Sequence, residues 1–242
     1  MDKAIILDAG EGKRLRPLTK LKPKCLLELN GLTILEHQLN NLAEYGIREV
    51  VIVVGYRADQ IIKKIKEKNF DMDIRFVRNP IFSKTNTVYS LWLARDETKT
   101  DFIFLNGDVA FHKSILGRLI NAVYDTCLAI DAKNVGQEEV KVQLASNKVK
   151  VIGKNIDPSK AQGEFVGIAK FSQKFNLLFR QKLSEVVREG KINAFFEAAL
   201  DRTLKHYNVY AVDISDLQCI EIDSHEDFKA ARKIYSLIAR KA

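Results

Sequence analysis

The sequence has few cysteines and no long apolar run, and both absences restrict what the chain can be. Cys25, Cys127 and Cys219 are widely spaced and form no CxxC pair, which argues against a zinc site or a disulfide framework. No stretch approaches the roughly 18 apolar residues of a membrane span, and the apolar part of the N-terminal MDKAIILDAG is too short for a signal peptide. We therefore expect a cytoplasmic protein with reduced thiols and no membrane span.

A basic tail is also missing, although the formal net charge is +8. Lysines and arginines are spread along the chain among aspartates and glutamates, and no aromatic-rich basic motif accompanies them. Nucleic-acid-binding proteins concentrate such charge on one face, so we expect no nucleic-acid partner. The dispersed charge favours an enzyme that binds a polyphosphate.

The first half of the chain alternates short apolar strands with amphipathic helices. Strands are predicted at residues 4–7, 49–54, 74–77 and 101–105, and helices at residues 34–45, 58–68 and 87–95. This alternation predicts an α/β, Rossmann-like fold with a mainly parallel (mixed) sheet flanked by helices. Ligands of such sheets lie at the carboxyl ends of the strands, where we expect the loops 8–19 and 106–111.

After about residue 124 the pattern changes to short strands joined by turns. Strands are predicted at 141–144, 148–152, 164–171, 208–212 and 219–222, and helices at 173–189, 193–205 and 224–240. We expect a small antiparallel excursion that could wall an acceptor site, within a single domain of residues 1–242. Its first half, about 1–124, is expected to bind a nucleotide, and its second half, about 125–242, the acceptor. Ser224 and Asp227 have the spacing of a capping box at the start of the last helix.

The loop after the first strand is rich in glycine and positive charge. Gly10 and Gly12 allow the backbone to approach phosphate oxygens and leave N–H groups free to donate. Five cations suited to a triphosphate follow: Lys13, Arg14, Arg16, Lys22 and Lys24. Leu15 stands where a dinucleotide loop has its third glycine, and no Walker motif occurs. The alternative is a glycine-rich surface turn with solvated charges.

Residues 7–19 (LDAGEGKRLRPLT), with the Pro-Lys pair at 23–24, resemble the signature of the sugar-phosphate nucleotidyltransferase superfamily, usually LAAGxGTRLxPLT followed by PK. The resemblance continues through residues 31–38, 46–55, 106–108 and 220–227. Residues 85–94 (TNTVYSLWLA) and 163–171 (GEFVGIAKF) resemble its cytidylyltransferase branch, whose members activate small phosphorylated head groups. That branch includes inositol-1-phosphate, phosphocholine and aminoalkylphosphonate enzymes.

Two aspartates are candidate metal ligands. Asp108 is the aspartate of a Gly-Asp pair that ends the strand predicted at 101–105, and it therefore lies at the sheet edge. Asp223 directly follows the strand predicted at 219–222. Carboxylate oxygens with phosphate and water suit octahedral Mg²⁺. The resemblance implies that the two aspartates share one Mg²⁺ between the nucleotide α-phosphate and the acceptor phosphate. The alternatives are a turn residue for Asp108 and a helix N-cap for Asp223.

The resemblance also implies the reaction and its two catalytic cations. An acceptor phosphate oxygen would attack the α-phosphorus of CTP in line and release pyrophosphate. Arg14 would hold the departing β- and γ-phosphates, and Lys24 would lie between the α-phosphate and the acceptor. The acceptor is already an anion, so no general base is needed.

The expected nucleotide site combines backbone groups with a few side chains. The base would be recognised by the backbone near residues 7–9 and 55–56, and by side chains of the TNTVYSL segment. The predicted nucleotide-binding residues are Leu7, Asp8, Ala9, Gly10, Glu11, Gly12, Lys13, Arg14, Gly55, Tyr56, Asn86, Thr87 and Ser90.

Asp8 departs from the superfamily, which usually has alanine there. An acid beside a polyphosphate repels it by on the order of 1–4 kcal/mol at a partly wet site. We hypothesise that Asp8 faces the base or ribose and accepts a hydrogen bond from the cytosine amino group or a hydroxyl. The alternative is an altered and weaker site.

The acceptor is expected to be a small phosphomonoester, either a polyol phosphate such as inositol-1-phosphate or phosphocholine. The predicted acceptor-binding residues are Lys24, Phe111, Lys141, Glu164 and Glu221. Residues 140–155 resemble the inositol-phosphate enzymes, which places the polyol first. The alternatives are a sugar-1-phosphate uridylyl- or thymidylyltransferase, a catalytically silent nucleotide-binding regulatory protein and a basic nucleic-acid-binding module. A homo-oligomer is compatible with the sequence.

Overall fold

Runs of β-branched and other apolar residues build one nine-stranded mixed sheet at the centre of the protein. The computed structural model describes residues 1–239. The strands are β1 (Lys3–Asp8), β2 (Glu28–Leu29), β3 (Leu32–Thr33), β4 (Glu49–Val54), β5 (Asp73–Arg78), β6 (Phe102–Asn106), β7 (Val109–Phe111), β8 (Cys127–Asp131), β9 (Lys141–Ala145), β10 (Lys148–Gly153), β11 (Gly163–Phe171), β12 (Tyr210–Asp213) and β13 (Cys219–Glu221). The main sheet has the order β5-β4-β1-β6-β11-β8-β12-β10-β9, while β2 pairs with β3 and β7 with β13.

Helices cover both faces of this sheet. They are α1 (Ile34–Glu44), α2 (Ala58–Lys68), α3 (Thr87–Leu93), α4 (Ser114–Ile120), α5 (Gln173–Arg188), α6 (Glu197–Leu204) and α7 (His225–Ala239). Because strand side chains alternate, Ile6 joins the core cluster of Leu35 in α1, whereas Ile5 joins that of Phe175 in α5. The predicted α/β class with a mixed sheet is therefore confirmed. No described helix is both long and apolar enough to cross a membrane.

Parallel strands bring the two expected loops to one edge of the sheet. Asp8 at the end of β1 lies beside Val54 of β4, and Leu7 lies beside Asn106 of β6. The glycine-rich loop therefore starts next to the turn that carries Asp108. This is the sheet edge at which the sequence predicted a ligand site.

The antiparallel strands are more central than expected. β11 pairs antiparallel with β6, with Ile168 opposite Leu105, and it also pairs with β8 and β9. The antiparallel part is thus larger than the small excursion that the sequence predicts, because β11 continues the main sheet directly beside the parallel strands. Strands from both halves of the chain form one sheet.

Several boundaries differ from the predictions for reasons of tertiary contact. The loop expected at residues 106–111 contains β7, which pairs with β13 more than a hundred residues away. The helix expected at 193–205 begins at Glu197, because the backbone before it bonds to the start of α3: Val88 N donates to Ala194 O, and Phe196 N donates to Thr87 Oγ1. The helix α4 and the strand β8 were not predicted.

The capping box of α7 is present as predicted. Asp227 N donates to Ser224 Oγ at 3.1 Å, and Ser224 N donates to Asp227 Oδ2 at 2.7 Å. Ser224, not Asp223, caps the helix, so the side chain of Asp223 is available to the site. Position 240, the predicted last helical residue, lies outside the described residues.

Candidate active site

The glycine-rich loop turns tightly around Lys24. Gly12 has φ of 60°, and a Cβ added there would come within 3.1 Å of the Lys24 Cβ, so a side chain at this position would be both strained and crowded. Thr19 Oγ1 donates to Gly12 O at 2.7 Å and closes the loop. The sequence places glycine where the backbone must bend toward the lysine.

A first cavity of about 370 Å³ lies against this loop. It is lined by Leu7, Asp8, Gly10, Glu11, Gly12, Lys13, Arg14, Lys24, Cys25, Phe82, Ser83, Thr85, Asn86, Gly107, Asp108 and Asp223. The side chains of Lys13 and Arg14 are largely exposed, at 64% and 62%, so both have freedom to reach an anion. The cavity combines exposed cations with glycine backbone, as a polyphosphate site requires.

Three carboxylates meet beside the cavity because β7 pairs with β13. Glu221 lies opposite Val109, and Ile222 N donates to Asp108 O at 3.0 Å. Asp108, Glu221 and Asp223 each offer an oxygen, and these oxygens lie within 4.8 Å of one another. The structure therefore brings together the two predicted metal ligands and adds Glu221, which the sequence assigned to the acceptor.

Lys24 bridges two of these carboxylates. Its Nζ lies 2.9 Å from Asp108 Oδ2 and 2.7 Å from Asp223 Oδ1, while Arg14 Nη2 lies 2.5 Å from Asp223 Oδ2. Burial favours the protonated carboxyl of Asp223, but Lys24 and Arg14 outweigh it and hold its pKa below the usual value. Burial, and then the negative charges of Asp108 and Asp223, raise the pKa of Glu221 to about 8. Beyond burial, the raised pKa reflects repulsion between the Glu221 carboxylate and the two aspartates, and a cation bound between the three carboxylates would relieve this repulsion.

A second cavity of about 310 Å³ continues from the first toward α3 and α6. The two cavities share eight lining residues: Leu7, Gly10, Arg14, Phe82, Thr85, Asn86, Asp108 and Asp223. The other residues that line the second cavity are Ala9, Asn79, Thr87, Ser90, Asn106, Val140, Lys154, Phe165, Phe195, Glu197 and Glu221. All predicted nucleotide-binding residues except Gly55 and Tyr56 line one of these two cavities. Their role in binding stays a prediction.

Sequence reasoning missed several residues of the second cavity, among them Lys154, Phe195 and Glu197. Lys154 Nζ lies 4.7 Å from the ring centroid of Phe195, and Glu197 is buried beside them. Burial raises the pKa of Glu197 to about 7, although Lys154 acts in the opposite direction. The available signal was the lysine directly after β10, at the end of a strand on the ligand side. Phe195 and Glu197 carried no such signal, because they fell within a predicted helix.

A third cavity of about 490 Å³ opens on the other side of the carboxylate cluster. Its walls are mainly acidic. The charged residues are Arg14, Lys133, Lys154, Glu138, Glu139, Glu164, Glu221, Asp223 and Asp227. Lys133 pairs with Glu164 at 2.8 Å and with Asp131 at 3.1 Å. Of the predicted acceptor residues, Glu164 and Glu221 lie here and Lys24 lies in the first cavity.

Four predicted site residues lie outside all three cavities. Phe111 is in the core, where its N–H donates to Tyr235 Oη. Lys141 is fully buried, with its ammonium bonded to backbone carbonyls. Gly55 packs under Ala9 O, and Tyr56 Oη donates to Lys20 O at 2.7 Å. The predicted direct contacts of Phe111 and Lys141 with an acceptor do not agree with these positions, because neither residue lines any of the three cavities.

Asp8 is a buried acid that packs against Gly107 on the wall of the first cavity, which Thr85 and Asn86 of the TNTVYSL segment also line. Its carboxylate is 8% exposed, covers the Cα of Gly107, lines only the first cavity, and leaves Oδ2 without a hydrogen-bond partner. Burial raises its pKa to about 7, with a further rise from Asp108 that Cys25 and Lys24 oppose. Recognition of the base by Asp8 stays a prediction.

We expect Asp8→Asn to stabilise the free protein at pH 8 and to have a smaller effect at pH 5. An acid whose pKa rises from 3.8 to about 7 on folding weakens the fold progressively as pH rises between those values. Ionised Asp8 lowers the free energy of unfolding by on the order of 4 kcal/mol at pH 8 and by less than half of that at pH 5. Thermal unfolding of the wild type and the variant at both pH values measures this difference. Asp59→Asn, at an exposed acid, is the control; an equal gain at both pH values for Asp8→Asn would contradict the assignment.

Known proteins with similar sequences and folds are nucleotidyltransferases. A model of the MobA-like NTP transferase domain family matches residues 4–189. The chain is 28% identical to the CTP:phosphoglutamine cytidylyltransferase of Campylobacter jejuni, over 93% of this chain and 97% of that protein. It is 28% identical to the choline-phosphate cytidylyltransferase of Streptococcus pneumoniae, over 96% and 97%. A solved inositol-1-phosphate CTP transferase from T. maritima shares the fold, with a TM-score of 0.82, 22% identity, and coverage of 99% of this chain and 95% of that one.

Proposed function

The chain belongs to the family of MobA-like NTP transferase domains, and from this premise we propose that it transfers CMP from CTP to a small phosphorylated alcohol and releases pyrophosphate. The observation that carries the proposal is the meeting of the glycine-rich loop, Lys24 and the carboxylates of Asp108 and Asp223 along one continuous cavity. Relatives that cover nearly the whole chain are cytidylyltransferases, which supports CTP as the nucleotide.

The proposed chemistry consists of holding two anions together. The loop backbone and the exposed side chains of Lys13 and Arg14 bind the triphosphate, and Arg14 stabilises the charge that develops on departing pyrophosphate. Lys24 lies between the first cavity and the carboxylates, where its ammonium neutralises charge on the α-phosphate and the acceptor phosphate. Lys154, at the junction of the second and third cavities, is a further cation for the acceptor phosphate. The acceptor oxygen is already deprotonated, so no residue has to serve as base.

The carboxylate cluster fits a divalent cation. Asp108 Oδ1 is buried without a hydrogen-bond partner, and oxygens of Asp108, Glu221 and Asp223 are close enough to share one ion. We propose that Asp108 and Asp223 hold Mg²⁺, with Glu221 as a neighbouring acceptor of hydrogen bonds. Mg²⁺ bound there would act as a Lewis acid and as a template for the two phosphates.

A polyol phosphate such as inositol-1-phosphate is the first candidate acceptor. The third cavity offers several carboxylates and has no aromatic side chain among its described lining residues, so it suits hydroxyl groups better than a quaternary ammonium. Phosphocholine is the second candidate. The specific observation in its favour is the Phe195 ring, which already contacts one cation, beside Phe165 and Glu197.

The test is pyrophosphate release with four nucleotides against a panel of acceptors. We expect release with CTP to exceed that with UTP, dTTP or GTP by at least about tenfold, which corresponds to about 1.4 kcal/mol of discrimination. Inositol-1-phosphate, phosphocholine and glucose-1-phosphate serve as acceptors. Turnover of glucose-1-phosphate with UTP and none with CTP would replace this proposal by a sugar nucleotidyltransferase. Absence of release in every combination would favour the silent regulatory protein. Cytoplasmic location and oligomeric state stay predictions.

A further inference from the structure

Lys141 is a buried lysine whose three donors all serve one loop. Its side chain is fully buried at the start of β9, and its Nζ lies 3.1 Å from Gly136 O, 2.9 Å from Gln137 O and 3.1 Å from Glu139 O. An ammonium has three N–H donors, so none remains for a ligand. Because burying an unpaired ammonium is strongly unfavourable, this loop conformation and the charge of Lys141 stabilise each other.

The same loop forms a wall of the acidic third cavity. Glu138 and Glu139 line this cavity together with Glu164, which pairs with Lys141 in the register of β9 and β11. Glu139 Oε2 also accepts from Gly136 N at 2.9 Å, which closes the loop on itself. The cavity extends from there to Glu221 and Asp223 of the carboxylate cluster. The loop thus lies at the end of the cavity that is remote from the phosphates.

We propose that Lys141 is a positioning residue for acceptor selection. It holds the backbone of residues 136–139 so that Glu138 and Glu139 face the distal end of the acceptor. This selects acceptors that carry hydrogen-bond donors there, either hydroxyl groups or a primary ammonium. The inference rests on the proposed transferase function and specifies which part of the chain recognises the acceptor.

Alternative side chains at this position clarify why lysine is required. Methionine fills a similar volume but cannot donate to the three carbonyls, so the loop would lose its shared anchor. Arginine keeps the charge, but its planar guanidinium directs its donors in a fixed fork and not toward three carbonyls around one atom. Both substitutions therefore release the loop while leaving Glu138 and Glu139 in the sequence.

The experiment compares Lys141→Met with Lys170→Met by steady-state kinetics. Lys170 is a matched control: it is 6% exposed, its Nζ donates to the carbonyls of Ile120 and Ala122, and it lines none of the three cavities. We expect Lys141→Met to raise the acceptor KM about tenfold and to change the CTP KM by less than about twofold. Lys170→Met should change both KM values by less than about twofold, whatever its effect on Tm.

The acceptors used are inositol-1-phosphate, phosphoethanolamine and phosphocholine. The rise in KM should be larger for inositol-1-phosphate, which has hydroxyl groups, and for phosphoethanolamine, which has a primary ammonium. It should be smallest for phosphocholine, which has no donor on its nitrogen. An unchanged acceptor KM, or an equal rise in the CTP KM, refutes the proposal. If Lys141→Met does not fold, the exposed Glu138→Gln decides: an unchanged acceptor KM refutes the proposal, and a raised one supports it. Failure of the wild type to release pyrophosphate with any acceptor instead refutes the proposed function.

Discussion

Asp108→Ala and Asp223→Ala should each lower the rate of pyrophosphate release by about a thousandfold or more, equivalent to about 4 kcal/mol of transition-state stabilisation. Each change removes a carboxylate from the cluster in which the three acidic side chains lie within 4.8 Å of one another. It also removes one of the two partners that hold the Lys24 ammonium in place. A single substitution therefore affects both the proposed cation site and the lysine that we propose to contact the substrates. Turnover with saturating CTP and acceptor is the measurement.

The control for this pair is Asp216→Ala. Asp216 is an exposed acid near the same end of the chain, paired with Arg118 on the surface, and such pairs contribute little to stability. It should keep wild-type turnover, and all three variants should keep the wild-type circular dichroism spectrum. Chelation of divalent ions should abolish wild-type turnover, and added Mg²⁺ should restore it. Wild-type activity in Asp108→Ala or Asp223→Ala would remove that residue from the proposed cation site.

Lys24→Ala is expected to lower kcat/KM for the acceptor about a hundredfold, and to change the dissociation constant of CTP by less than about fivefold. The side chain is only 12% exposed, and its ammonium lies between two carboxylates and not with the outer cations of the loop. Under the proposed function, its charge acts where the two substrates meet. The proposed triphosphate contacts of Lys13, Arg14 and the loop backbone are left in place.

Lys22→Ala is the matched control for Lys24. Although the sequence grouped Lys22 with the phosphate-binding cations, it lines none of the three cavities. It lies two residues before Lys24, is 42% exposed, and pairs with Glu28 at 3.1 Å. It should leave acceptor kinetics and CTP binding close to the wild type. CTP binding by calorimetry and acceptor kinetics at saturating CTP separate the two effects. Equal losses of CTP binding and acceptor use in Lys24→Ala would argue against its placement between the substrates.

Much of the fold was readable from local patterns. The β-branched run of β4 and the helical spacing in α2 predicted both elements with the bounds that the structure shows. The mixed α/β class followed from the alternation of such elements. The short β7 was not predictable in this way, since three residues carry too little periodicity and its partner strand is remote in sequence. The start of α6 was misplaced because tertiary hydrogen bonds to α3 hold the preceding residues out of a helix.

The candidate site likewise contains residues that local sequence patterns identified and residues that they missed. Gly12, Arg14 and Lys24 were identified from one contiguous motif, and Asp108 and Asp223 from strand ends combined with resemblance. Lys154, Phe195 and Glu197 were missed, since their common cavity is formed by elements that are distant in the chain. The acidic third cavity and the loop of residues 136–139 were likewise not predicted from the sequence, although Glu164 and Glu221 were assigned to the acceptor.

The sequence alone determined that a glycine-rich, cationic loop follows the first strand of an α/β sheet, because backbone freedom, charge and strand periodicity are local properties. Only the tertiary structure decided how Glu221 joins Asp108 and Asp223, because that requires the pairing of β7 with β13. It also decided the position of two charged residues that the sequence left open. Asp8 is buried against Gly107, and Lys141 donates to a loop instead of a ligand, since burial and the available hydrogen-bond partners determine where a charged side chain can lie.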